Sequence, residues 1–546
     1  MTFIKNALIS VSNKHNLDRI LPFLKSQKFN IYSTGGTYNF IKKYNYPHLY
    51  KVSDLTNFDE ILSGRVKTLH PQIMGGILAN NNDNDNNDLK KHNISRFSLV
   101  ISNLYPFKEA TQKSNDIDIA IENIDIGGHT MIRAAAKNYK NIDVLTSPSK
   151  YDSWIDNYGK NIEKNRLLYA KDAFRYISEY DNHIDSYFND TINVTYYKEK
   201  SLKYGLNPYN QNAFILSKNN KMPFTVLNGN IGYINTMDAM GSWNLVNEIK
   251  EELNMECSAS FKHTIPAGVA VENYDHKWSP ICNSYIKARN CDPLSSFGDF
   301  IAISGKVDID TAKYIKNQVT DGIIAKDYDI EALELLKKKK SGKYLILRGE
   351  PIENKEIYTE YKDLYDITLC QDSDNTQLTS LYKNIVSNNK LLTDKHYIDL
   401  TIASVSNKYA QSNSIAMAYN GQLVGLGAGQ QNRLDCIRLA GEKSKLWYLR
   451  RVYKHQFKNN TNYSEIYDYL RNELKKNANH DYFKLNDICM SSDGFMPFLD
   501  NVLEARKYGV THIIQPGGSI KDNEIIDECN KNNMVMIKTG YRLFYH

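Results

Sequence analysis

Asn6-Ala7-Leu8-Ile9-Ser10-Val11-Ser12-Asn13-Lys14, then Leu17–Leu24, then Phe29-Asn30-Ile31-Tyr32-Ser33-Thr34-Gly35-Gly36-Thr37 set the fold reading. Ala7–Val11 is a short apolar run that reads as a strand, Leu17–Leu24 reads as a helix, and Phe29–Tyr32 reads as a second strand. Ser98–Asn103 and Ile142–Thr146 read as further strands, so roughly the first 150 residues alternate as parallel α/β folds do. Such folds place their ligand crevice at the carboxyl ends of strands. Ser12-Asn13-Lys14 and Thr34-Gly35-Gly36-Thr37 fall there, and their hydroxyls and backbone N–H groups suit a phosphate.

Two later segments add charge to the same region. Gly64-Arg65-Val66-Lys67-Thr68-Leu69-His70-Pro71 carries two cations at alternate positions, which share a side if the segment is extended. Ile124-Asp125-Ile126-Gly127-Gly128 leads into an alanine-rich stretch, Thr130–Asn138, with Arg133 and Lys137 one helical turn apart. Asn80–Asn87 is an Asn/Asp-rich run that reads as a solvated loop.

The chain has 546 residues, too many for one core, with 41% hydrophobic and 24% charged residues. A formal net charge of +6 suits anionic small molecules but lacks the concentrated basic stripe of a nucleic-acid binder. Seven scattered cysteines, none in C-x-x-C, argue against a disulfide framework or a zinc cage. No apolar run reaches membrane-spanning length, and the N-terminus has no signal-peptide pattern, so a cytosolic protein is expected. Helical spacing over 166–188 and the polar stretch Asp190–Ser201 place a boundary near residue 200, giving domains 1–198 and 199–546. The second part also reads as mixed α/β, with no internal repeat of fixed period.

Within it, Ser260-Phe261-Lys262-His263-Thr264-Ile265-Pro266-Ala267-Gly268 is the most chemical stretch. Pro266 restricts its own φ and biases Ile265 to an extended shape, while Gly268 would permit a tight turn. If that corner lines a pocket, the ammonium should favour the neutral imidazole, leaving a base beside a charge that can steady a developing oxyanion.

S-V-S-N-K, S-T-G-G-T, G-R-V-K-T-L-H-P, N-L-Y-P-F and I-D-I-G-G-x-T-x-x-R-A-A-A-K-N together resemble the methylglyoxal-synthase-like domain of a purine enzyme family. That family is AICAR transformylase/IMP cyclohydrolase, and the resemblance continues through Lys203–Pro208, the Lys-His block, Ser295–Phe300, Asp321–Ala325, Gln411–Ser414, Gly425–Arg433, Ser492–Asn501, Gln515–Ser519 and Arg542–His546. It implies a parallel α/β first domain and a transformylase region of two cytidine-deaminase-like subdomains. It further implies formyl transfer from 10-formyltetrahydrofolate to AICAR, then closure of formyl-AICAR to IMP.

By the same resemblance, Lys67, Tyr105, Asp125 and Lys137 match catalytic positions of the cyclohydrolase. Ser12, Asn13, Lys14, Thr34, Gly35, Gly36, Thr37, Arg65, Val66, Thr68, Ser102, Asn103 and Ile126 match its nucleotide positions. For formyl transfer, His263 matches the proton acceptor, Lys262 the transition-state stabiliser and Asn413 an orienting amide. Lys203, Tyr204, Gly298, Asp321, Arg433, Phe495, Arg542 and Phe544 would hold AICAR; Leu434, Asp500, Gly517 and Gly518 would lie against the folate. Arg433 and Arg542 suit a 5′-phosphate through their planar donor forks. A homodimer with transformylase sites drawn from both subunits is implied as well.

The family usually has Arg where this chain has Lys203 and His near Tyr209, so one donor fork and one near-neutral titrating group are lost. The zinc-deaminase signatures H-x-E and P-C-x-x-C do not occur, and no metal is expected. Two other classes compete: a nucleotide-sensing module, which the joint presence of Lys67, Asp125 and Lys137 disfavours, and an RNA binder, for which only the positive charge and 39 tyrosines speak.

Overall fold

The computed structural model describes residues 5–218, 221–272, 277–351, 357–457, 462–476 and 485–546. The chain divides into two compact units, Met1–Thr195 and Tyr196–His546.

The first unit is built on strands β1 (Lys5–Val11), β2 (Phe29–Ser33), β3 (Leu49–Lys51), β4 (Leu99–Asn103) and β5 (Asp143–Leu145). They form a five-stranded, wholly parallel sheet in the order β3-β2-β1-β4-β5. The alternation along β1 explains why both faces are covered. Ala7, Ile9 and Val11 pack with Leu17, Ile20 and Leu24 of the helix Leu17–Ser26. Leu8 joins Val100, Ile132 and Ala135 on the other face, together with Ala170, Ala173 and Ile177 of the long helix Ile162–Asn189. The order reverses between β1 and β4, so their carboxyl ends flank the crevice that this topology leaves open.

The Asn/Asp-rich run is not the loop its composition predicts. Helix Asp83–Lys91 forms there, because Asn82 caps it by accepting from the Asp85 N–H at 2.8 Å. Asp83 and Asp85 sit in the first turn, Lys90 and Lys91 in the last, and Leu89 is buried, so dipole complementarity and one apolar anchor outweigh composition.

In the second unit, strands β6 (Tyr197–Ser201) and β7 (Phe214–Ser217) form a small hairpin. Strands β8 (Phe224–Asn228), β9 (Cys257–Lys262), β10 (Ile265–Val271), β11 (Asp299–Val307), β12 (Thr320–Tyr328) and β13 (Leu345–Gly349) make a six-stranded sheet. A second two-stranded hairpin, β14 (Thr359–Leu364) and β15 (Ile367–Asp372), precedes the other large sheet. That sheet comprises β16 (Ser414–Ala418), β17 (Leu423–Ala428), β18 (Ile488–Ser492), β19 (Val510–Gln515) and β20 (Val535–Lys538).

The two large sheets repeat one plan. Each begins with an antiparallel hairpin, β9–β10 or β16–β17, whose first strand pairs antiparallel with the next strand, after which two further strands add in parallel. A helix precedes each hairpin, Tyr233–Leu253 or Asp394–Lys408, and another follows it, Pro280–Arg289 or Arg433–Val452. The hairpins touch edge to edge, where the Val271 N–H donates to the Gly421 carbonyl at 3.0 Å and Ala270 bridges Gln422.

Gly268 does not make the turn expected of it. It lies within β10, where a Cβ would come 1.9 Å from the Ala288 carbonyl oxygen of the following helix. Gly425 and Gly427 stand in the same relation to Ala440 and Cys436, at 2.0 and 2.1 Å, so glycine serves close strand–helix approach in both sheets. The chain instead turns at His263 and Thr264, with φ of 54° and 63°. Gly268→Ala is expected to destabilise the second unit by at least about 3 kcal/mol through overpacking against backbone, read from the urea midpoint.

Candidate functional site

A cleft of about 570 Å3 opens at the switch point of the first sheet. Ser10, Val11 and Ser12 from the end of β1, Asn103 from the end of β4, and Thr34, Gly36 and Thr37 after β2 line one part. Arg65, Lys67 and Thr68 from a loop, with Tyr105, Asp125, Ile126 and Gly128, line the other. Most of the expected nucleotide positions thus converge, together with three of the four expected catalytic ones.

Local bonding explains the shape. Asn103 accepts from the Asn13 N–H at 2.8 Å and donates to the Asn13 carbonyl at 2.9 Å, which locks the two strand-end loops together. Thr37 bonds both the N–H and the carbonyl of Val11, and the Ser10 hydroxyl meets that of Thr34 at 2.8 Å. Val66 pairs with Ile61 and holds the Arg65–Thr68 loop in place without lining the cleft. Ser102 is buried in β4, and its hydroxyl has no hydrogen-bond partner among the described residues.

Asp125 caps the helix Ile126–Lys137 by accepting from the Gly128 N–H at 2.7 Å. A Cβ at 127 would lie 2.7 Å from the Thr68 hydroxyl and one at 128 would lie 2.8 Å from the Asp125 carboxylate, so either would push those side chains aside. Burial raises the Asp125 pKa, while N–H groups of Gly128 and Tyr105 and the nearby Lys67 ammonium act against that rise. The cleft therefore offers two helix N-termini and three cations, Lys14, Arg65 and Lys67, around one half-buried carboxyl. Two carboxylates that sequence reasoning missed engage these donors: Glu60 accepts from the Gly35 N–H at 3.2 Å, and Glu122 pairs with Arg65 at 2.5 Å.

Lys137 is placed differently from the rest. It ends the helix that Asp125 begins, about 16 Å along the axis from Ile126, is exposed, and does not line the cleft.

In the second unit, Lys262 ends β9 and His263 opens the two-residue turn. Positive φ at both turn residues matches the twist of a tight hairpin, yet neither is glycine, and β-branched Thr264 is strained there. The Lys262 ammonium donates to the Phe297 carbonyl at 2.8 Å, beside Gly298, and Asp321 is the second residue of β12. Beneath this corner, Asp299 and Arg289 form a buried pair at 2.7 Å, and Ser260 donates to Asp299 at 2.6 Å. Burial pushes the Asp299 carboxyl up to about 6 against the pull of Arg289 and Ser260.

Asn413 belongs to a second cluster. Its oxygen accepts from Arg433 at 2.8 Å, and its amide donates to the Gln430 carbonyl at 3.0 Å. Arg433 also donates to the Phe495 carbonyl and to fully buried Asp493, both at 2.8 Å, leaving its Nε buried without a partner among the described residues. Asp493 in turn accepts from Ser412 at 2.6 Å. Phe544 packs over Gly494 beside Arg433, and Arg542 lies 5.6 Å from the Phe544 ring centre.

The remaining positions are more dispersed. Lys203 and Tyr204 are exposed beside the β6–β7 hairpin, with the ammonium 5.9 Å from the ring, and Tyr209 is exposed too. Leu434 follows Arg433 on its helix, Asp500 opens the helix Asp500–Arg506, and Gly517 and Gly518 follow β19 with φ of 74° and 100°.

Comparison with known proteins bears on both units. A family model described as AICARFT/IMPCHase bienzyme matches residues 135–443, and one described as MGS-like domain matches 17–130. Among curated relatives, the Bifunctional purine biosynthesis protein PurH of a Thermoanaerobacter species is 36% identical over 99% of this chain and 100% of its own length. The protein of the same name from Clostridium acetobutylicum is 36% identical with both chains fully covered. That from Prochlorococcus marinus subsp. pastoris is 35% identical over 99% of each. The chain belongs to the AICARFT/IMPCHase bienzyme family.

Proposed function

We propose that the second unit transfers the formyl group of 10-formyltetrahydrofolate to the 5-amine of AICAR, and that the first closes formyl-AICAR to IMP. The observation that carries the reading is the Lys262–His263 turn, where an ammonium held at the Phe297 carbonyl adjoins an imidazole on a strained hairpin. The amine is weakly nucleophilic because it conjugates with the ring and carboxamide. His263 takes its proton as the new C–N bond forms, and Lys262 steadies the formyl oxyanion. The bond to folate N10 then breaks, and tetrahydrofolate leaves protonated. Asn413, fixed at both ends of its amide, orients the substrate. Lys203, Tyr204, Gly298, Asp321, Arg433, Phe495, Arg542 and Phe544 contact AICAR; Leu434, Asp500, Gly517 and Gly518 contact the folate.

In the first unit, the phosphate lies against the strand-end loops and helix N-termini, with Lys14 and Arg65 as its cations. The carboxamide nitrogen attacks the formyl carbon and water departs. Lys67 stabilises the alkoxide, and Asp125 and Tyr105 serve as proton carriers. Lys137 acts in this reaction from outside the cleft lining of its own protomer. A coupled assay with AICAR and 10-formyltetrahydrofolate, following IMP, tests the whole reading; no IMP from a folded protein would refute it. No described helix is long and apolar enough to cross a membrane, and we place the enzyme in the cytosol, acting without metal or nucleic acid.

His263→Ala should lower formyl transfer about 10³-fold and leave cyclisation of supplied formyl-AICAR unchanged, measured with separate spectrophotometric assays. Lys67→Gln should lower cyclisation about 10²-fold. It should also move the acid limb of the cyclisation rate–pH profile upward, because the ammonium holds down the Asp125 carboxyl and its loss leaves burial unopposed by that charge. The working unit is a homodimer whose transformylase sites take residues from both protomers. Mixing inactive His263→Ala and Arg433→Ala chains should then restore formyl transfer to about a quarter of wild type, since half of random dimers carry one intact site. Sites made within one chain would give no recovery.

A further inference from the structure

We propose that Asp238 is a positioning residue for formyl transfer, holding the His263–Thr264 turn in its left-handed conformation; this rests on His263 being the base. Asp238 lies on the helix Tyr233–Leu253, in the sequence Met237-Asp238-Ala239, where nothing local marks it as functional. Its carboxylate is buried, and it accepts the Thr264 N–H at 2.7 Å.

The helix reaches the turn because of its own sequence. Gly241, nearly one helical turn beyond Asp238, meets Phe261 of β9 so closely that a Cβ there would be 3.2 Å from the ring. That approach sets Asp238 under the tip of the hairpin. Thr264 at φ 63° is a β-branched residue in a region it rarely adopts, and such a conformation persists only where surrounding contacts enforce it. The charge-assisted bond from Asp238 is such a contact. Without it, the turn relaxes towards φ below zero and carries the imidazole away from its working position, and an error near 1 Å costs on the order of 10²-fold in rate. Burial raises the Asp238 pKa, which the Thr264 N–H and His263 oppose and Asp321 reinforces.

The test compares Asp238→Ala, Asp238→Asn and the double variant Asp238→Ala/Thr264→Gly, with formyl transfer and cyclisation measured separately on the full-length protein. Asp238→Ala should lose about 10²-fold in kcat for formyl transfer with cyclisation unchanged. Asp238→Asn keeps an oxygen for the Thr264 N–H and should stay within about fivefold of wild type. Glycine takes positive φ without enforcement, so the double variant should recover at least about tenfold over Asp238→Ala. Wild-type kcat in Asp238→Ala, an Asp238→Asn variant as impaired as the alanine, or a double variant no better than the single would each overturn the proposal. If Asp238→Ala fails to fold, Asp238→Leu, close in size but unable to accept the Thr264 N–H, takes its place: it should lose about 10²-fold in kcat for formyl transfer, and wild-type kcat in it would overturn the proposal. Full formyl transfer in His263→Ala would instead remove the base assignment, a failure distinct from any of these.

Discussion

Backbone contact between a hairpin strand and the helix that follows it is the constraint on which the second unit rests. A strand carrying Cβ atoms at positions 268, 425 and 427 could not meet the carbonyls of Ala288, Ala440 and Cys436. The resulting approach brings the β9–β10 and β16–β17 hairpins down onto helices Pro280–Arg289 and Arg433–Val452 and lets one plan occur twice. The first unit uses the same economy at its cleft, where Gly127 and Gly128 leave room for the Thr68 hydroxyl and the capping Asp125.

On these frames, two buried charge pairs support the assigned groups. Arg289–Asp299 lies beneath the Lys262–His263 corner, and Arg433–Asp493 fixes Asn413. Neither pair is strong evidence of stability, because desolvation opposes the attraction. Their effect is geometric: Arg289 ties the end of its helix to the start of β11, and Arg433 ties the start of its helix to Asp493 just past β18 while holding the Asn413 amide. The cleft of the first unit differs, since Arg65 pairs with an exposed Glu122 and keeps its freedom to exchange partners.

Backbone strain is present at the turn to which formyl transfer is assigned. His263 and Thr264 adopt positive φ without being glycine, a cost of order 1–3 kcal/mol for each such residue that the surrounding contacts must offset. A Gly-Gly turn would be easier to fold but would not carry an imidazole next to a held ammonium.

Much of this was legible in the chain. The alternation from Ala7 to Thr146, the strand-end loops at Ser12 and Thr34, and the Lys-His pair can be read because periodicity and motif are local properties. Composition misled at Asn80–Asn87, where a cap and one buried leucine made a helix, and at Gly268, whose role is steric contact with a helix twelve or more residues away. The strand order that opens a cleft between β1 and β4, the separation of Lys137 from that cleft, and the places of Asp238 and Asp493 beneath their partners depend on residues distant in sequence. Pairing register and close packing are settled by which surfaces meet in three dimensions, and no short window of sequence contains both surfaces.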